Sequence, residues 1–458
     1  MNDGGPEMRP VYDMLRQAAE RRSFHMPGHK GQAPFGPADL YALDTTELPL
    51  TDDLYAPERG IAQAQALYAE AAGAAETLFL TNGSTSGIHV MMQLYCHEGD
   101  TILLPRNAHL SAVNGCIMGG VKVRWLPLSM TADGLCYMKE ADVIAAMDAH
   151  PEAKAIFLAR PDYYGCMLPL ERIAEAAHAR NIRLVVDEAH GAHFPWLEGV
   201  KSAGACGADA WVQSVHKTLP GLTGSAVLHL QDRADHARAL RLLRRQQTSS
   251  PSFIQMMSID DARAYMTLHG RERLQAVAAA AEEIRRALPA LGYRDAHAMW
   301  SDTCLHFDPT RLVIDAPQGG PALALALQAL GVDVEMHDHR RVVFILTAMD
   351  AAERVLSLLS ILKECPPQHE EIPALPMLTA IPPQAMEVRA AAMARSENVP
   401  LAACAGRIAA ASAGLYPPGV PLVCPGEIIP AEVIDRLTNA KNQERFGVEG
   451  DTLLCVKQ

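Results

Sequence analysis

The chain has 458 residues, 49% of them hydrophobic and 20% charged, with a formal net charge of −13. That length is too great for one ordinary core and suits a large domain of about 250 residues with smaller companions, all of soluble globular composition. The acidic balance argues against a general nucleic-acid binder, which needs a basic footprint, and mildly favours cationic small molecules as partners.

The first residues, MNDGGPEMRP, lack the basic and apolar regions of a signal peptide, and no segment reaches about 18 uninterrupted apolar residues, so a cytoplasmic location is expected. The ten cysteines include no CxxC pair. Single buried thiols are expected, and neither a disulfide framework nor a zinc knuckle.

Residues 8 to 22 read as a basic amphipathic helix that breaks at SFHMPGHKG (23 to 31), a Gly/Pro/His loop too poor in apolar residues to be core. It either caps a surface or reaches into a site. The stretch DTTELPLTDDLYAPERG (44 to 60) has no period either, so residues 1–60 are expected to form an N-terminal arm. From Ile61 an alanine-rich helix stops at Gly73, then a short strand (77 to 80), a polar turn and a helix to about Cys96 follow. TILLP, VKVRWLPL, AIFLA, IRLVVD and AWVQS read as strands, with helices at 139 to 149, 170 to 180 and 108 to 118. This alternation predicts an α/β domain with a mostly parallel sheet over 61–285. Residues 231 to 253 read as a basic helix followed by a Ser/Thr/Pro turn, and a long helix (257 to 289) comes next. Residues 286–368, with strand-like TCLHFD and VVFILTA and helices at 320 to 330 and 350 to 363, suggest a small α/β domain. Beyond the proline-rich CPPQHEEIPALP, residues 369–458 form a C-terminal domain with an alanine-rich helix and the loop GLYPPGVPLVCPGEIIP.

Three features carry chemistry. In WVQSVHKTLPGLTGSA (211 to 226), Lys217 falls on a tight connection between two buried strands, an odd place for a solvated lysine. Lysines so placed form Schiff bases with carbonyl compounds or pyridoxal phosphate, because desolvation favours the neutral amine; a structural lysine is the bland alternative. Asp187 ends the strand IRLVVD, where open parallel sheets carry ligands. An acid there needs a partner, either a local cap or salt bridge or a protonated heterocyclic nitrogen. The turn TNGSTSG (81 to 87) brings the N–H groups and hydroxyls of Gly83, Ser84 and Thr85 to a helix start, which suits phosphate, although helix capping alone selects the same residues. Ser214 and His216 are placed to complete such a cup. His109, after TILLP, could stack on a planar cofactor or be an ordinary surface histidine. His190 and His193 have metal-like spacing but no cysteine nearby, so no metal is expected.

TNGSTSG, RNAHLSAVNG, RPDYYGCMLPL, LVVDEAHGAHF, SVHKTLPGLTGSA and SSPSF, framed by FHMPGHKG and GLYPPGVPLVCPGE, occur in an order that resembles the bacterial-type, pyridoxal-phosphate-dependent ornithine/lysine/arginine decarboxylases. The resemblance implies the aspartate aminotransferase fold (fold type I) for the large domain, with a small α/β domain and a C-terminal domain. It implies Lys217 as the Schiff-base lysine, Asp187 as partner of the pyridine nitrogen and His109 stacked on the ring. Ser84, Thr85, Ser214 and His216 match phosphate-side residues, and Thr248 matches a phosphate ligand given by the neighbouring subunit of a homodimer or higher oligomer. The expected catalytic set is therefore Lys217, Asp187, His109 and His216, and Gly83 and His190 join the others in the cofactor-binding set.

The chain departs from the family's PTYYG in having Asp162 for Thr, and its length matches the compact members. The implied reaction is decarboxylation of arginine to agmatine or lysine to cadaverine, with ornithine behind both. Glu47, Asp52, Asp53 and Glu427 are candidates to select the basic side chain. Rival readings are an aminotransferase or lyase with the same cofactor, and a non-catalytic regulatory homologue.

Overall fold

The structure, a computed structural model, describes residues 7–20, 38–304, 306–368, 380–416, 420–439 and 444–458. The loop SFHMPGHKG, the end of the proline-rich boundary and part of GLYPPGVP lie outside the described residues. The chain divides into two compact units, one formed by Met1–Leu94, Val186–Ala280 and Leu346–Val355, the other by Tyr95–Val185, Ala281–Ile345 and Leu356–Gln458.

In the first unit the strand Glu76–Leu80 pairs antiparallel with Ala226–Leu230, which pairs antiparallel with Ala210–Ser214. Ala210–Ser214 then meets the end of the strand Arg183–Asp187 in a parallel step, Glu188 N–H to the Val212 carbonyl at 2.9 Å and Ser214 N–H to the Ala189 carbonyl at 3.3 Å. Every residue of 210–214 and 226–230 is buried, as apolar strands covered on both faces must be. The helix Pro10–Ala19 starts with proline at its first turn and buries Val11, Met14 and Leu15. Gly60 opens the helix Gly60–Ala72, where a Cβ would lie 2.9 Å from Met14 Sδ. Gly73 closes that helix at φ +67°, a left-handed cap open to glycine.

In the second unit the strands Ala153–Ala159, Thr101–Pro105 and Lys122–Leu126 are parallel neighbours, with Leu103 opposite both Ile156 and Arg124. The helices Leu110–Gly119, Glu140–Ala149 and Glu171–His178 follow their strands close to the expected positions. A four-stranded antiparallel sheet is built from Arg294–Asp295, Arg311–Asp315, Arg341–Ile345 and Met336–His337.

Several expectations change here. Among the described residues of TCLHFD only Phe307 bridges, to Cys166, and the strand is Arg311–Asp315. Asp308 explains the shift: its carboxylate accepts from Thr310 N–H (2.9 Å) and Oγ1 (2.7 Å), forming a turn that breaks the apolar run. The long helix is two, Phe253–Tyr265 and Arg271–Ala287, joined by a π turn at Met266–Gly270. The alanine-rich C-terminal helix shrinks to Val388–Ala392. The remainder holds two three-stranded sheets and the helix Ala431–Asn439 around a core that includes Cys404, Val423, Leu437 and Leu453. Among the described residues no helix is long and apolar enough to cross a membrane.

Candidate active site

Lys217 lies in the short helix Val215–Thr218, which follows the buried strand Ala210–Ser214 directly. The chain must turn back at once, since a Cβ on Gly221 would lie 2.7 Å from Val215 Cγ1. Lys217 Nζ is 3.2 Å from His190 Nε2. His190 sits on the loop opened by Asp187, whose carboxylate is buried and accepts from Ala189 N–H at 3.0 Å.

Glu188 is fully buried and anchors that loop from below. Its oxygens accept from Ala203 N–H and from Gln213 Nε2, both at 2.7 Å. Gln213 Oε1 is then the acceptor left for His229 Nε2 at 3.1 Å, and His229 Nδ1 takes the Thr77 hydroxyl at 2.8 Å. This network fixes the His229 tautomer. Burial without a charged partner pulls its pKa down to about 3, so it stays neutral under the Trp211 ring, 4.9 Å away.

The turn at 81–85 forms a cup. Gly83 has φ +70° and donates its N–H to the Gly224 carbonyl at 2.9 Å, then opens the helix Gly83–Tyr95. A Cβ on Gly87 would lie 2.7 Å from Leu80 Cδ1 and 2.8 Å from Val212 Cγ2, so only glycine lets the helix start sit this close to the strands. Ser214 Oγ donates to Ser84 Oγ at 3.0 Å, joining the end of the Lys217-bearing strand to the helix start. His216 donates from Nδ1 to the Ser225 carbonyl at 2.9 Å, which leaves Nε2 for other work.

Gly83, Ser84, Thr85, Asp187, His190, Ser214, His216, Lys217 and Thr248 all belong to the first unit. Thr248 is exposed; its carbonyl accepts from Tyr55 Oη at 2.6 Å and its hydroxyl meets Ser250 Oγ at 3.2 Å. His109 belongs to the second unit, where it caps the helix Leu110–Gly119 by accepting Ser111 N–H at 3.2 Å. No group of three or more possible metal ligands occurs among the described residues.

Residues the sequence did not signal also belong here. Gln247 Oε1 accepts Thr81 N–H at 2.8 Å, next to the cup, yet in RRQQTSSP it reads as the tail of a solvated helix. The Thr218 hydroxyl is buried beside Lys217 with no partner among the described residues. Of the four acids considered as selectors, Asp52 is saturated: at φ +68° it accepts from the N–H groups of Asp53, Glu58, Arg59 and Ile61. Glu427 is consumed in the second unit, bidentate to Arg106 at 2.6 and 2.8 Å and accepting Cys424 N–H at 2.7 Å.

A family model for the Orn/Lys/Arg decarboxylase major domain matches residues 9–314, and one for the Orn/Lys/Arg decarboxylase C-terminal domain matches 368–446. The chain belongs to the Orn/Lys/Arg decarboxylase family. Its relatives include the uncharacterized protein YaaO of Bacillus subtilis, 32% identical over 98% of this chain and 97% of that one. An arginine decarboxylase of the same organism is 30% identical over 93% of this chain and 92% of its own. Lysine decarboxylase A from Pseudomonas aeruginosa shares the fold, with a TM-score of 0.84 at 19% identity, covering 98% of this chain and 81% of that one. A structure of SPT with PLP aligns at TM-score 0.53 and 15% identity over 66% of this chain and 75% of that one. The decarboxylase is thus a fold type I α/β enzyme with a mostly parallel sheet. Its site fits pyridoxal phosphate, the family's cofactor: an unpartnered buried hydroxyl and a serine pair at a helix start for the phosphate, a buried carboxylate for the ring nitrogen, and a lysine amine.

Proposed function

We propose that this enzyme removes the α-carboxylate of a basic L-amino acid as CO2, with arginine as substrate and agmatine as product, lysine being the next choice and ornithine behind it. The observation that carries the reading is the Lys217 amine held 3.2 Å from His190 on the loop that Asp187 opens. The preference for arginine is supported by relatives named arginine decarboxylase over more than nine-tenths of this chain.

Bound pyridoxal phosphate would supply an electron sink for the pair left at Cα when the carboxylate departs. Lys217 would hold the cofactor's aldehyde, and Asp187 would keep the ring nitrogen protonated through its buried charge. Gly83, Ser84, Thr85, Ser214 and His216 would bind the phosphate. Thr248 would serve the neighbouring subunit's phosphate in a homodimer located in the cytoplasm. A proton must return to Cα. Lys217 Nζ is the proposed donor, with His190 Nε2 close enough to replenish it and His216 as the alternative donor. Glu47 and Asp53 remain the candidate selectors for the basic head group.

Purified protein supplied with the cofactor should release CO2 and agmatine from arginine in equal amounts. Formation of a keto acid without CO2 would make the enzyme an aminotransferase. Absence of turnover with arginine, lysine and ornithine alike would favour a regulatory homologue.

A further inference from the structure

Gln247 is 8% exposed, and its side-chain nitrogen is buried with no partner among the described residues. An orphan of this kind is uncommon, since leaving a buried donor unsatisfied costs about 1–3 kcal/mol. The orientation of the amide is set by its surroundings. Thr81 N–H must meet an acceptor, so Oε1 faces Thr81 at 2.8 Å and Nε2 takes the other side. The reversed amide would press two donors together.

Thr81 lies two residues before Gly83, which opens the thirteen-residue helix Gly83–Tyr95. The unmet donor therefore stands where the helix dipole and free N–H groups already favour an anion. Two hydroxyls of the same unit, Thr81 Oγ1 and Thr218 Oγ1, are buried without a partner among the described residues as well. No acid among the described residues makes a hydrogen bond to Gln247 or to the Ser84–Ser214 pair.

We infer that Gln247 is a binding residue of this cup, donating from Nε2 to the phosphate monoester of the bound cofactor while Oε1 holds the turn through Thr81. The inference rests on the pyridoxal phosphate reading above. It separates two roles of one side chain: the acceptor half shapes the cup, and the donor half recognises the anion.

Q247E tests the division, because a carboxylate keeps the acceptor for Thr81 N–H and replaces the donor with a negative charge that repels the phosphate. Full-length protein stripped of cofactor is titrated with pyridoxal phosphate and, in parallel, with unphosphorylated pyridoxal, following absorbance of the lysine adduct. Wild-type protein should bind the phosphorylated form far more tightly. In Q247E the dissociation constant for pyridoxal phosphate should rise about tenfold or more, that of pyridoxal should stay unchanged, and protection against heat by inorganic phosphate should fall. Q247A, which lacks both halves and adds no charge, should still weaken pyridoxal phosphate about fivefold or more, which separates loss of the donor from charge repulsion, and it serves as the readout should Q247E not fold. An unaltered preference for the phosphorylated form in the variants that fold would overturn the role of Gln247 and leave the cofactor reading standing. Wild-type protein that binds both forms equally would overturn the two together.

Discussion

Lys217 Nζ and His190 Nε2 lie 3.2 Å apart, an amine and an imidazole sharing one hydrogen bond at the end of a parallel step in the sheet. Whichever atom carries the proton, the other stabilises it. His190→Ala should therefore lower kcat on the order of 10²-fold and flatten the pH profile, while K217A should abolish turnover. Steady-state rates across pH 6–9 check this, and an H190A profile superimposable on wild type would remove His190 from proton handling.

Asp187 is buried, where a charge is screened far less than in solvent. Replacing it with alanine should cost about 3 kcal/mol or more in the transition state, two orders of magnitude in kcat, because a neutral ring nitrogen is a poor electron sink. Single-turnover measurement at saturating cofactor separates this from weaker binding. A kcat within threefold of wild type would sink the role.

The buried pair of Arg106 and Glu427 is structural. Arg106 also donates to the Pro421 and Leu422 carbonyls and lies 4.9 Å from the Trp125 ring, so the pair ties the C-terminal segment to the strand region of its own unit. Glu427→Ala leaves a buried guanidinium without its carboxylate and should destabilise the fold by ~3–5 kcal/mol. The ratio of kcat/KM for arginine and lysine should not move. Urea unfolding and a two-substrate assay measure the two quantities, and a switched substrate preference would return Glu427 to the selector role.

Much of this was legible in the sequence. Lys217, Asp187 and the 81–87 turn stood out because each put a polar group where the pattern demanded burial, and their strands were apolar runs of ordinary length. Gln247 was hidden because its signal is an orientation, an amide turned by one N–H from a distant strand end. The pairing of Arg106 with Glu427 was hidden because 321 residues separate them. The strand Arg311–Asp315 was missed for a local reason, the Asp308 turn inside what looked like one apolar run. The short C-terminal strands fell below the length at which alternation can be read.

Asp162 accepts from Tyr164 N–H at 2.9 Å and Cys166 N–H at 2.8 Å. Burial pushes its carboxyl up to about 6, against the pull of those donors and of the Arg311 charge. The folded state thus holds the proton more tightly than the unfolded chain. The stability this contributes is complete below the unfolded value near 4 and is lost as pH rises through about 6, amounting to up to ~3 kcal/mol. Asp162→Asn keeps the acceptor oxygen and cannot titrate. Its stability relative to wild type should rise between pH 4 and pH 7 by that amount; parallel curves would show that Asp162 is ionised throughout.

His229 supplies the opposite slope. Its folded pKa, near 3, lies below the ordinary value of 6.5, because burial disfavours the imidazolium. Its neutral form is held by Thr77 on one side and Gln213 on the other. The unfolded chain binds the proton more tightly, so the stability His229 contributes is complete above about pH 6.5 and is lost as pH falls toward 3. At pH 4.5, two units below the unfolded value, the loss is ~3 kcal/mol. His229→Gln retains a polar side chain without the titration, so its urea midpoint should lie below wild type at pH 7 and close much of that gap at pH 4.5. Because Gln213 passes the network on to Glu188, the same variant should loosen the loop carrying Asp187 and His190. Hydrogen exchange at Ala189 and Ala203 reads that effect, and unchanged protection there would confine His229 to the core.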